Sequence, residues 1–201
     1  MTGFRPSRCR HCKVKFTQEE LARGLRLHIV CIAPWADEQQ AKKERAEAKA
    51  ARAAEKVERA ETRKRREAIK RKPDLMREAD QAFAAYIRER DRQAGHPCIS
   101  SGRPLDWASG NQVDAGHYRS RGAASHLRYH PDNCHAQSKY ENRHRAGNAV
   151  EYRVGLIARI GLATVEALEA DARVHHWTHD ELRGVRDEYR QKLKQLTKGA
   201  P

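Results

Sequence analysis

The chain reads as a mixed α+β protein, mostly helical: a small module of turns, short strands and helices, a long basic helix before it and a short cysteine-rich segment at the start. Three observations lead there. Charged residues make up 34% of the chain and hydrophobic ones 38%, which suits a modest core with long solvated helices. Residues 36–72 are dominated by Ala, Glu, Lys and Arg and hold no Gly or Pro, the composition of a continuous helix. Residues 96–113 bring Gly102, Pro104, Gly110 and alternating polar residues, which read as turns and short strands. Trp107 in this stretch is read as a core plug.

The 201 residues suffice for one ordinary domain or a small domain with extensions. A formal net charge of +14 points to a polyanionic partner, nucleic acid first. A membrane partner is disfavoured, because no apolar run approaches the roughly 20 residues of a spanning helix. Met1–Cys9 shows no apolar signal region, so the protein is expected to stay in the compartment that makes it.

Five cysteines, Cys9, Cys12, Cys31, Cys98 and Cys134, favour metal ligation over disulfides in a reducing compartment. Cys9 and Cys12 form one pair with two residues between, and His28 and Cys31 form another. Four soft ligands at this spacing suit a tetrahedral Zn²⁺ in a structural site with no open position. The segment is too small to bury a core, so the metal would supply its folding energy. A disulfide or free thiols beside an incidental His28 is the bland alternative. His11, inside the first pair, reads as a solvated residue of the knuckle.

The helix from Ala36 to Lys72 gains from the i,i+4 pairs Glu38–Lys42 and Glu55–Arg59. Val57 and Ile69 are its only large aliphatics, so it has no heptad seam and no core-facing stripe. Its last part, Arg63, Lys64, Arg65 and Arg66 through Lys72, is strongly basic. It reads equally as a solvated spacer and as an arm that tracks phosphates, with Pro73 ending it. Asp74–Gly95 restarts as an amphipathic helix on Leu75, Ala79, Phe83, Tyr86 and Ile87, with Asp74 as N-cap and Gly95 as stop.

His126–Tyr129 reads as a short strand, Pro131–Asn133 as a turn and Asn133–His144 as a helix. Asn148 with Glu151 looks like a capping box opening a helix that Gly161 ends. Leu162–Arg173 reads as a short helix. Thr178 with Glu181 is a second capping box, opening a last helix to about Leu196, and Gly199–Pro201 a frayed tail.

Asp114–Arg121 and Asn133–Asn148 carry the chemistry. His117 is followed at once by Arg119 and Arg121, then come Asn133, Asn142 and His144. This order resembles that of HNH nucleases, which implies a small ββα-metal module whose hairpin and helix hold one divalent metal. The residue types suit phosphodiester hydrolysis. A neutral imidazole can activate water near pH 7, a cation can bind the phosphate and leaving oxygen, and arginines can hold the phosphate.

A closer resemblance rests on Arg77–Asp80, Phe83, Tyr86–Asp91, Pro97–Ser100, Ala115–Ser120, Leu127–Tyr129, Asn133, Gly147–Asn148 and Glu151–Gly161. On these the chain resembles the NinG (Rap) family of lambdoid phage recombination proteins, HNH-like endonucleases acting on branched DNA. The likeness covers most of Leu75–Ala170, with a weaker match at the cysteine knuckle. The family pattern carries a second zinc site built from two Cys-x-x-Cys pairs. Only Cys98 remains here, with Ser101, Ser138 and Glu141 at the other positions. One thiol, two hydroxyls and a carboxylate do not make a structural zinc site, so that brace is expected to be lost. Hydrogen bonds or apolar packing would replace it, or the domain would loosen. Cys134 lies off the pattern and reads as a small buried residue.

The resemblance assigns the site residues. His117 becomes the general base, with a structural histidine as the alternative. Asn133 becomes the asparagine that ties the loop and orients the base. Asn142 takes the last position, an H-N-N variant whose amide oxygen suits Mg²⁺ or Mn²⁺ better than Zn²⁺. Asp114, His117 and Asn142 form the expected set around the catalytic divalent metal. Gly116 stands where a ligand often precedes the base, so Asp114 is the nearest carboxylate. Strand alternation puts residues 114 and 117 on opposite faces, so a bulge is expected, at Gly116. His144 lies roughly 200° around a helix from Asn142, and Asn148 reads as a cap. Arg119, Arg121 and Arg63–Arg66 are the expected DNA contacts.

The expected organisation is a zinc knuckle over 1–35, a charged linker helix over 36–73, an HNH-like nuclease domain over 74–174 and a C-terminal helix over 175–201. The function this implies is a metal-dependent endonuclease on branched intermediates, a Holliday junction or D-loop. It would work in the cytoplasm of the bacterial host, alongside host or phage recombination proteins. The rival readings are a non-catalytic DNA-binding accessory protein and a zinc-finger interaction protein with a spacer helix.

Overall fold

The structure, a computed structural model, describes residues 7–109 and 112–198. Met1–Pro6, the turn residue Gly110 and the tail Gly199–Pro201 lie outside the described residues. The chain divides into two compact units, residues 1–69 and 70–201.

The first unit is a knuckle followed by a helix. The knuckle holds α1, Gln18–Ala22, which Thr17 and Glu20 close with a reciprocal capping box. Its core is small: Cys9, Phe16 and Cys31, with Leu21, Leu25 and Leu27 against them. A single turn, Ile29–Cys31, leads into α2, Ile32–Ala68. Its 37 residues make a rod about 55 Å long. None of them is buried, and Val57 and Ile69 are exposed, as expected for a helix without an apolar stripe. The predicted pair Glu55–Arg59 forms at 2.5 Å.

The second unit opens with α3, Lys72–Gln93. Pro73 sits in the first turn of α3, where its missing N–H has no helical partner to lose; it begins this helix and does not end α2, which stops at Ala68. The N-cap is Arg71, and Asp74 lies in the first turn. Gly95 takes the left-handed conformation that stops the helix, at φ +66°.

β1, Val113–His117, pairs antiparallel with β2, Cys134–Ser138. The assignment of Asn133–His144 to a helix is therefore corrected: the segment is β2 followed by one π-helical turn, Tyr140–His144. Cys134 through Gln137 are all buried, so the strand has no polar face and lacks the alternation that marks strands in sequence. The predicted strand at 126–129 is instead a 3₁₀ turn over Ser125–Leu127.

α4, Ala149–Ile160, α5, Leu162–Ala170, and α6, His179–Lys198, complete the unit. α5 stops three residues short of Arg173. Asn148 precedes α4 in a left-handed conformation and makes no side-chain cap, so that capping box is corrected. The Thr178–Glu181 box forms, with Thr178 N donating to Glu181 Oε2 at 2.7 Å. No helix among the described residues is long and apolar enough to cross a membrane.

Two apolar clusters hold this unit. One joins Leu75, Phe83 and Ile87 of α3 to Leu182 and Tyr189 of α6, with Tyr129 and Cys134. The other joins Ile99, Leu127, Tyr152, Leu156, Val165 and Leu168. Between them, the carboxylate of Asp91 fastens α3 to β2 by accepting from Ala136 N at 2.6 Å and from Arg90 at 2.7 Å. Burial alone would raise its pKa, but His135, Arg90 and the Ala136 N–H hold it well below the usual carboxylate range.

Candidate metal centre and histidine cleft

The knuckle brings Cys9, Cys12, His28 and Cys31 together, with their ligand atoms all within 4.8 Å of one another. Two sulfurs bound to one tetrahedral Zn²⁺ lie about 3.8 Å apart, from Zn–S distances near 2.3 Å, so the cluster fits such an ion. Cys12 Sγ lies 3.3 Å from His28 Nδ1. His28 Nε2 faces Glu20 Oε2 at 3.7 Å, so a carboxylate stands behind the ring whose Nδ1 faces the thiols, as in many metal-bound histidines. Glu20 thus serves both the α1 cap and the cluster. Burial pushes the Cys9 thiol up, yet the backbone at His28, Cys12 and His11 outweighs it and lowers the pKa to about 6. Cys9 is therefore ready to ligate as thiolate.

The four positions of the second zinc pattern also meet, through hydrogen bonds. Ser138 N donates to Cys98 Sγ at 3.3 Å, and Glu141 N donates to Ser138 Oγ at 3.3 Å. Asn148 Nδ2 donates to Glu141 Oε2 at 3.0 Å. Burial raises the Cys98 pKa, but hydrogen bonds from Ser101 and Ser138 lower it overall. Of the alternatives left open for this corner, hydrogen bonding is what the structure contains. Among the described residues, only the knuckle gathers three or more Cys, His, Asp or Glu at ligand distance. Cys134 is fully buried, and burial raises its pKa.

The third site is a cleft between α3 and the hairpin, with a volume near 700 Å³. Asp114, His117 and Asn142 all line it, together with Asp80, Arg121 and Arg143. The expected bulge is absent: pairing runs unbroken from Val113↔Ser138 to His117↔Cys134. Among the described residues the sheet has two strands, so the edge of β1 away from β2 has no strand partner there. A cleft along that edge can receive side chains from alternating positions. Gly116 has another reason to be glycine: a Cβ there would come within 2.1 Å of Gln137 Oε1.

Asp114 accepts from Asn142 Nδ2 at 2.9 Å and from Arg143 Nε at 2.8 Å. Burial raises the Asp114 pKa, but Arg143 and Asn142 lower it overall. The π-helical turn that carries Asn142 leaves His144 exposed, beside Tyr140. His117 Nε2 lies 2.9 Å from Arg128 O. A carbonyl only accepts, so Nε2 carries the proton and Nδ1 is the basic nitrogen. Nδ1 has Cys134 Sγ at 3.8 Å. Burial lowers the His117 pKa, and the Arg128 carbonyl bond that raises it does not outweigh this.

Asn133 is fully buried. Its Nδ2 donates to Arg119 O and Leu127 O at 3.0 and 3.2 Å, and its Oδ1 accepts from Arg119 N at 2.8 Å. It ties both ends of the loop between β1 and β2 and does not line the cleft. Arg119 faces elsewhere, its guanidinium donating to Leu168 O and Glu169 O at the end of α5. Arg121 lines the cleft and pairs with Asp80 at 3.0 Å. Arg63, Lys64, Arg65 and Arg66 are exposed on α2 in the first unit. Sequence reasoning missed Asp80 and Arg128, which pair at 2.5 Å across 48 residues; no local pattern signals a contact at that separation.

A cysteine–histidine metal knuckle, a long basic helix and an arginine-lined cleft holding a histidine define a basic α+β protein with one candidate structural metal site. A family model described as Bacteriophage Lambda NinG protein matches residues 2–199, and the chain belongs to that family. Protein ninG of Salmonella phage P22 is 46% identical over 132 residues, covering 66% of this chain and 62% of the relative. Protein ninG of Escherichia phage lambda is 44% identical over 132 residues, with the same coverage of each chain. That of Escherichia phage 933W is 44% identical over 132 residues, 66% of this chain and 63% of the relative. The chain thus spans slightly less than two thirds of the length of these curated relatives. No solved structure matches it.

Proposed function

We propose that the protein is an HNH-like, metal-dependent DNA endonuclease acting on branched recombination intermediates in the infected bacterial cell. The observation that carries the reading is the meeting of Asp114, His117 and Asn142 in one cleft with Arg121 and Arg143. The branched substrate rests on the family resemblance, and the basic charge of the chain supports a DNA partner.

Asp114 and Asn142 carry hard oxygen donors that would suit Mg²⁺ or Mn²⁺ once Arg143 releases the Asp114 carboxylate. Such an ion supplies Lewis acidity toward the scissile phosphate and the leaving oxygen. The remaining work belongs to the chain. Neutral His117 takes a proton from water at Nδ1 as the oxygen attacks phosphorus and the P–O bond to the leaving group breaks. The leaving oxygen takes a proton from solvent. Arg121, and Arg143 once it leaves Asp114, hold the phosphate oxygens. Asn133 keeps the loop in register, and Arg63–Arg66 hold further phosphates.

The accessory-protein reading is favoured by one observation: internal partners occupy Asp114 and both nitrogens of His117, through Arg143, Asn142, Arg128 and the buried Cys134 thiol. A nicking assay separates the two. With Mg²⁺ or Mn²⁺ the protein should cut a four-way junction in preference to linear duplex, and EDTA should stop it. Tight junction binding with no cutting under any divalent metal establishes the accessory role instead.

A further inference from the structure

We propose that Asp80 of α3 is a positioning residue that sets the tautomer and orientation of His117 through the main chain of Arg128. Its catalytic consequence rests on the nuclease reading above; the positioning itself does not.

The relay has three contacts. Asp80 Oδ1 accepts from Arg128 Nε at 2.8 Å, and Oδ2 accepts from Arg128 Nη2 at 2.5 Å. This two-pronged pair is partly buried, with the Arg128 side chain 16% exposed and Asp80 24%. A paired fork restrains a guanidinium in angle as well as distance. The carbonyl of the same Arg128 then accepts from His117 Nε2 at 2.9 Å. That bond puts the imidazole proton on Nε2 and the lone pair on Nδ1.

Asp80 adds a side-chain latch to a loop whose backbone is also held where Arg128 N donates to Ser125 O and where Tyr129 O accepts from the Tyr189 hydroxyl. Asn133 fixes it at Arg119 and Leu127, but Arg128 lies one residue beyond the second anchor. Tyr129 beyond it packs against Phe83 of α3 with ring centroids 5.7 Å apart. Phe83 also lies 6.0 Å from the His117 ring. Thus α3 meets the histidine twice, through an aromatic face and through the carboxylate that sets its carbonyl partner. Asp80 also holds Arg121, whose side chain is 51% exposed at the cleft. Neutralising Asp80 should therefore free a cation for phosphate while loosening the base, so binding and turnover should part company.

The test uses the full-length protein and the variants Asp80→Asn, Arg128→Gln and the double variant. In the wild-type protein at fixed pH, imidazole ¹⁵N NMR should show His117 in the Nε2–H form. Asp80→Asn should give a mixture of tautomers, with Tm within a few degrees of wild type. Turnover on a four-way junction should fall about 10- to 100-fold, the scale of a misplaced group. Junction affinity should hold or tighten. Arg128→Gln should match Asp80→Asn in tautomer and turnover but not in affinity, because Asp80 still holds Arg121. The double variant should lose no more turnover than either single one, because the two act as a unit. An unchanged His117 spectrum in Asp80→Asn overturns the proposal. A wild-type protein that never cuts overturns the nuclease reading instead, and the spectrum still decides whether Asp80 sets the ring.

Discussion

Two corners of this molecule resolve the same problem differently. In the knuckle, Cys9, Cys12, His28 and Cys31 point their donor atoms at one space. Around Cys98, the positions of a comparable set are Ser101, Ser138 and Glu141, joined by hydrogen bonds. The difference follows the cores. The knuckle has three buried apolar residues, too few to offset the entropy of ordering its chain. The second unit has two clusters anchored by Tyr152, Phe83, Leu156 and Leu182. A corner set on such a core can exchange metal bonds for hydrogen bonds, each worth about 0.5–1.5 kcal/mol net. A knuckle with so small a core cannot.

The largest effect should come from chelation. Structural zinc in small knuckles supplies roughly 10–16 kcal/mol, so a strong chelator should unfold residues 7–31. The amide signals of Ile99 and Tyr152 in the second unit should persist. Joint melting of both units would mean that the Cys98 corner also depends on a metal.

His117→Ala should lower the cleavage rate by about 10²–10⁴, the usual contribution of a positioned base. Junction binding and zinc content should stay near wild type, because affinity comes from phosphate contacts elsewhere. Asn142→Ala should show a similar loss that added Mn²⁺ partly restores. Circular dichroism must accompany both, since an unfolded variant would imitate a catalytic one. Cutting by His117→Ala at the wild-type rate removes the histidine from the chemistry.

Glu141→Ala probes the hydrogen-bonded corner directly. It leaves Asn148 Nδ2 without its acceptor, and losing such a partner costs about 1–3 kcal/mol. Urea unfolding of the second unit should register that loss with no change in bound zinc. The smallest effect should come from α2. Reversing Arg63, Lys64, Arg65 and Arg66 should flatten the salt dependence of DNA binding, because each phosphate contact adds roughly 0.9 to the log–log slope. An unchanged slope makes α2 a spacer.

What could be read in advance divides along the same line as the two corners. The knuckle was legible because its ligands come as two local pairs. α2 was legible because composition alone decides a helix with no buried residue. The Thr178–Glu181 cap is also a local pattern. The hairpin was not: β2 is buried on both faces, so Cys134–Ser138 carries no alternation, and it was read as helix. The cleft was legible in part. His117, Asp114 and Asn142 line one cleft, and Asp114 accepts from Asn142, with no bulge in β1. Arg119 follows His117 closely in sequence, yet its guanidinium is turned to the carbonyls at the end of α5. Asp80 and Arg128 come from different elements, and only packing reveals their pairing.

The contrast between the corners reduces to the number of zinc ions per chain. Metal analysis of purified full-length protein, after exchange into metal-free buffer, should find one. Cys9→Ser should release that ion, and Cys98→Ser should leave it in place. Two ions per chain would contradict the hydrogen-bonded corner, and none would contradict the metal-braced knuckle.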